Sequence, residues 1–104
     1  MEKIEAQIIL EILGRPPEHV VEALNGLTKQ LEKEKGVSIK SQAIHEPVEV
    51  RDSKDLFTSF ADLTIEFDSL GDYFHVVFTY MPSHVEVFSP EKIILTNYDM
   101  NDLA

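Results

Sequence analysis

Cysteine is absent from these 104 residues, and so is tryptophan. Without cysteine there is no disulfide framework, no thiolate metal site and no cysteine nucleophile. The four glycines are scattered at positions 14, 26, 36 and 71, which excludes Walker-type phosphate loops and the dinucleotide fingerprint. The G-x-S-x-G serine elbow is missing as well. No apolar run approaches the ~18 residues of a membrane span. The opening Met-Glu-Lys-Ile-Glu lacks the basic-then-apolar order of a signal peptide. Basic residues are scarce late in the chain. Residues 1–54 carry ten acids and eight bases, whereas residues 55–104 carry nine acids and one base, Lys92. Nucleic-acid binding needs clustered Lys and Arg to displace phosphate counterions, so neither DNA nor RNA is an expected partner. The expected location is cytoplasmic.

What is present fits one domain spanning residues 1–104 with a net charge of −10. A chain of this length buries roughly 65% of its unfolded surface. Ile4, Ala6, Ile8, Leu10 and Ile12 alternate with more polar residues, a half-buried strand. Pro16 and Pro17 then suit the first turn of a helix, where a missing N–H costs nothing. Val20, Leu24, Leu27 and Leu31 form its apolar stripe, and Gly36 closes it as the expected C′ residue. Val37, Ile39, Ser41 and Ala43 share one face of a second strand, placed at an edge because Pro47 cannot donate to a ladder. Residues 51–55 read as a loop. Phe57 through Phe67 alternate as a third strand.

Ser69 is an expected N-cap, and Leu70, Phe74, Val77 and Met81 give the inward stripe of a second helix that Pro82 ends. Val85 and Val87 mark a fourth strand, and Ile93–Leu95 an optional fifth. Residues 97–104 read as a tail, or as the start of a helix continued elsewhere. The sequence thus predicts an α+β, two-layer βαββαβ sandwich with both helices on one face and an antiparallel sheet in the order 4-1-3-2.

That element order resembles the ferredoxin-like superfold. The segment Leu56-Phe57-Thr58-Ser59-Phe60-Ala61, taken with Tyr80-Met81-Pro82-Ser83-His84-Val85-Glu86-Val87, resembles small archaeal proteins of unknown function. The last third, Ser83 to Pro90 with the preceding helix, is similar to the C-terminal extension domain of WYL-type transcription regulators. Neither resemblance implies catalytic residues.

Chemistry is thinly represented. Arg15 sits in a loop where this superfold can hold phosphate, but Pro16 and Pro17 remove the backbone donors of such a cradle. His84 and Glu86 point the same way from a strand, two ligands where zinc wants three or four. His75 and Asp72 make an ordinary i,i+3 pair. No metal, cofactor or catalytic set is expected.

Two surfaces attract attention instead. The second helix adds Tyr73, Val76, Phe78 and Tyr80 to its stripe, so its apolar arc is about 200° wide, more than one sheet face requires. Tyr73, Val76 and Tyr80 are therefore expected to contact a second chain. The helix-free sheet face is expected to carry Ile9, Leu13, Ile44, Phe60 and Phe88 as an apolar patch. The leading expectation is a non-catalytic interaction or self-association module, most simply a homodimer. A small ligand at the subunit interface and a basic protein partner stay open. The alternative is a small enzyme whose site forms between subunits from Arg15, His84 and Glu86.

Overall fold

A computed structural model describes residues 3–90. Chain order is β1 (Ile4–Gly14), α1 (Pro17–Glu32), β2 (Val37–Ile44), β3 (Val48–Glu49), β4 (Phe57–Phe67), α2 (Leu70–Tyr80) and β5 (His84–Ser89). The readings of residues 93–95 and 97–104 lie outside the described residues.

The fold is α+β, with two helices and one antiparallel sheet. The sheet path is β2-β4-β1-β5, and β3 pairs with β4. There are five described strands where four long ones were expected, so the order 4-1-3-2 does not carry over strand for strand. The added strand comes from Val48 and Glu49, which pair with Thr58 and Phe57 immediately after Pro47. Two residues show no periodicity, and their pairing is visible only in three dimensions.

β1 and β4 form the centre, pairing over their full lengths from Ile4 opposite Phe67 to Gly14 opposite Phe57. Alternation decides what each strand buries. Ile4, Ala6, Ile8 and Leu10 of β1 and Ala61, Leu63, Ile65 and Phe67 of β4 are shut off from solvent. Leu24 and Leu31 of α1 and Leu70 and Val76 of α2 join the same apolar cluster. Both helices therefore cover one face and leave the other free.

α1 begins with Pro16 as N-cap and Pro17 inside the first turn. It buries Val20, Leu24, Thr28 and Leu31, and Leu27 packs half-buried beside them. The Thr28 hydroxyl donates to the Leu24 carbonyl oxygen at 2.9 Å, so its burial leaves no donor unpaired. The helix ends earlier than Gly36 suggests. Lys33 is the C-cap, and Gly36 turns the chain into β2 with φ +74°. A Cβ there would lie 2.0 Å from the Asp72 carboxylate of α2, so both the dihedral and the space call for glycine.

α2 starts where expected, with Ser69 Oγ accepting from the Asp72 backbone N–H at 3.1 Å. Its rotation differs from the sequence stripe. Leu70 and Val76 are buried, and Tyr73, Phe74 and Tyr80 pack onto the core. Met81 is the left-handed C-cap, with φ 48°, and is 80% exposed. Phe78 is 70% exposed. An apolar arc wider than the sheet needs can be seated at several rotations. Here Tyr73 and Tyr80 take the inward side. Rings then run outward in contact: Phe67–Tyr73 at 5.4 Å, Tyr73–Phe74 at 5.2 Å and Phe74–Phe78 at 5.7 Å between centroids.

β2 contains a second departure. Its register on β4 shifts between Ile39 and Ser41. The surplus residue, Lys40, is a β-bulge, and a bulge exchanges the two faces beyond it. Val37 and Ile39 pack on the core before the bulge, and Ile44, opposite Ala61, packs on it afterwards. Ile44 therefore leaves the predicted open-face patch. Ala43, expected inside, lies opposite Asp62 on the open face.

Candidate functional site

The open sheet face can be assembled from the register. Glu5, Gln7, Ile9, Glu11 and Leu13 come from β1, and Glu66, Thr64, Asp62, Phe60 and Thr58 stand opposite them on β4. Toward the start of β1 the face is acidic. Glu66 is partly offset by Lys3 at 3.4 Å and Lys40 at 3.9 Å, and Gln7 donates to Asp62 at 2.9 Å. Toward the end of β1 it is apolar. Leu13 and Val48, 60% and 64% exposed, flank Thr58 in one cross-strand row. In the next row the Phe60 ring stacks on His45 with centroids 4.0 Å apart. The Ser59 hydroxyl donates to the His45 carbonyl oxygen, which fixes the backbone behind that stack. Ile9 is half-buried on this face. Phe88 is 44% exposed, at a register shift where β5 crosses from Ala6 to Glu5 of β1. Four of the five predicted patch residues therefore remain in place, spread along the strands rather than gathered. Val48 is the member that sequence reasoning missed.

The helix surface needs a larger correction. Val76 is fully buried and Tyr73 and Tyr80 are half-buried against the chain's own core. They do not form an outward patch. Burial raises the pKa of Tyr73 above the ordinary phenol value. Tyr80 is raised first by burial and then by the negative charge of Glu34, against a smaller opposing contribution from the Gln30 side chain. The Tyr80 hydroxyl is closed off from water, and no partner meets it in good hydrogen-bonding geometry among the described residues. The outward apolar residues are Phe78 and the C-cap Met81, with the half-buried Phe74 beside them. They lie on the flank of α2 away from α1, because Asp72 and His75 reach α1's exit from the other side. There His75 Nε2 meets Glu34 Oε2 at 3.1 Å. His75 thus pairs across the fold, and not with Asp72 on its own helix.

The remaining candidates are separated. His84 pairs with Ile9 and Glu86 with Gln7 on the edge of the sheet. Arg15 follows the last residue of β1, six positions beyond Ile9, about 20 Å along a strand. One chain therefore does not bring Arg15 to His84 and Glu86. Among the described residues, no three His, Asp or Glu side chains gather in an arrangement that could hold a metal ion.

Arg15 instead borders a cleft of about 330 Å³, lined also by Pro16, Pro17, Asp55 and Phe57. Register explains the assembly. Phe57 pairs with Gly14, so the start of β4 lies beside the β1–α1 turn. Asp55 sits just before it in a loop closed by Val50 N–H donating to the Leu56 carbonyl at 2.7 Å. It has φ 63°, a conformation Asp tolerates better than most residues. The expected order 4-1-3-2 already sets the first strand beside the Phe57–Phe67 strand; what it lacks is the register that puts Gly14 opposite Phe57.

Comparison with known proteins places the chain without giving it chemistry. No curated protein and no solved structure matches it. The resemblance to WYL-type regulators finds no support. A family model does match, over residues 5–104. Its span takes in both helices and every described strand, from the second residue of β1 onward. By that match the chain belongs to the MJ0538 family.

Proposed function

We propose that the chain is a non-catalytic module that associates with a second copy of itself through the outer flank of α2. One observation carries this reading: Phe78 and Met81 are 70% and 80% exposed beside Phe74 on a helix whose one acidic residue is Asp72. A chain with net charge −10 repels its own copies. Self-association then favours the surface with the fewest carboxylates. The open sheet face, with Glu5, Glu11, Asp62, Glu66 and Glu86, is poorly suited to meeting itself. It suits a basic protein partner, while its acids and those after residue 54 disfavour nucleic acid.

A two-fold dimer is the simplest outcome, since one self-complementary patch suffices. Sedimentation equilibrium of the whole chain at about 100 µM, where even a Kd in the ten-micromolar range gives mostly dimer, should return twice the 11.9 kDa chain mass. Phe78→Asp should return the monomer with an unchanged circular dichroism spectrum. A wild-type monomer at that concentration would defeat the proposal. A dimer indifferent to Phe78→Asp would move the interface elsewhere and defeat the assignment to α2.

The ferredoxin-like assignment belongs here too. If β3 is taken as an insertion between β2 and β4, the four long strands run β5-β1-β4-β2, which supports that reading. A cytoplasmic setting is proposed with it. No helix among the described residues is long and apolar enough to cross a membrane. An enzyme built between subunits would have to bring Arg15 of one copy to His84 of another, and the outer flank of α2 contains neither.

A further inference from the structure

We propose that the cleft beside Arg15 binds a small zwitterion with an apolar body, chemically an α-amino acid with an aromatic or large aliphatic side chain. The inference goes beyond self-association and would stand for a monomer. Its lining combines three apolar residues, Pro16, Pro17 and the half-buried Phe57, with two exposed residues of opposite charge, Arg15 and Asp55. Among the described residues neither takes part in an ion pair within 4.0 Å, with the other or with any other group. Opposite charges that share a cleft without joining leave room for a ligand that answers both.

Arg presents a planar fork that fits a carboxylate, and an ionised Asp accepts from an ammonium group. The ligand's apolar remainder would lie on the prolines and Phe57. Overall charge narrows the choice. A net charge of −10 disfavours a free anion, and a lone cation could bind the many other carboxylates equally well. A zwitterion adds no net charge and needs both signs at one place. The cleft's 330 Å³ stands at the small end of ligand sites, suited to a compact molecule.

Asp55 is well placed to hold its position. The loop around it is tied by Ser53 N–H to the Val50 carbonyl at 3.1 Å, in addition to the Val50–Leu56 bond. Asn accepts the same left-handed backbone, so Asp55→Asn removes the charge without a new strain.

The test is a titration of ¹⁵N-labelled whole chain with three probes of one shape. L-Phenylalanine carries both charges, 3-phenylpropionate the carboxylate alone and 2-phenylethylamine the ammonium alone. L-Phenylalanine should shift the amides of Arg15, Asp55 and Phe57 and bind about three- to fivefold tighter than either analogue, the scale of one exposed ion pair. Asp55→Asn should abolish its advantage over 3-phenylpropionate. Arg15→Gln should abolish its advantage over 2-phenylethylamine. Should Arg15→Gln disturb the turn, visible in the unliganded spectrum, Asp55→Asn still decides. Equal binding of all three probes, shifts confined to other residues, or no shifts at about 20 mM, beyond which affinity has little meaning, would each overturn the proposal.

Discussion

The two helices lie on the same sheet and meet it very differently. α1 is polar in composition, yet it buries Val20, Leu24, Thr28 and Leu31 in a regular line and turns its charges to water. α2 is mostly apolar, yet it buries only Leu70 and Val76 completely and leaves Phe78 in solvent. Apolar content therefore does not measure how firmly a helix is seated. Seating follows from how narrowly the apolar residues are grouped, because a narrow stripe permits one rotation and a wide one permits several. α1's stripe does structural work almost entirely. α2's surplus is what the proposed self-association would use.

The contrast can be broken most forcefully in α1. Leu24→Ala removes a fully buried side chain and should cost about 2–5 kcal/mol in urea unfolding. Phe78→Ala, a larger truncation in volume, should change monomer stability by less than about 0.5 kcal/mol because the ring is mostly solvated. Comparable losses at the two positions would mean that α2 is covered by something the monomer itself supplies.

A somewhat smaller effect is expected where the turn after α1 meets α2. Gly36→Ala forces a Cβ into φ +74° and onto the Asp72 carboxylate. The dihedral alone should cost about 1–2 kcal/mol. Adding Asp72→Ala should recover only the steric part, so the double variant should unfold between wild type and Gly36→Ala. Full recovery would show that the backbone conformation carries no cost.

The smallest effect concerns Tyr80. Its enclosed, unpartnered hydroxyl gains little from being polar, so Tyr80→Phe should be neutral or stabilising by up to about 1 kcal/mol. Both Tyr73 and Tyr80 have raised pKa values. The folded state therefore holds their protons more tightly than the unfolded state does. That contribution is complete below the ordinary phenol value of 10.0 and is lost as pH rises through the raised ones. Chemical denaturation between pH 9 and 11 should show wild type losing stability more steeply than Tyr80→Phe.

The sequence was most legible where alternation ran unbroken. β1, β4 and three members of α1's buried line, Val20, Leu24 and Leu31, are visible because each has a single buried face; Leu27, expected in that line, is half-buried, and Thr28 takes the buried place. Ser69 was legible because capping is local chemistry. Ile44 was misplaced because one surplus residue, Lys40, inverts the faces after it, and nothing in side-chain type marks a bulge. A 200° arc leaves the rotation of α2 undetermined, so the sequence alone cannot say that Tyr73, Val76 and Tyr80 face inward. The cleft was hidden for a different reason. Arg15 stands out in its loop, but Asp55 and Phe57 are 40 and 42 positions away in sequence, and only the register that sets Gly14 opposite Phe57 unites them.

The chain of rings from Phe67 through Tyr73 and Phe74 to Phe78 has an optical consequence. There is no tryptophan in the chain, so its near-ultraviolet signal belongs to tyrosine and phenylalanine. Both tyrosines among the described residues, Tyr73 and Tyr80, lie on α2, and α1 has none. Tyr73 is held edge-on against Phe67 of the core and Phe74 of its own helix, an asymmetric setting that gives a phenol ring circular dichroism. The helix with the looser seat thus carries two of the chain's three tyrosines, and its engagement with the sheet or with a second copy can be followed without any label.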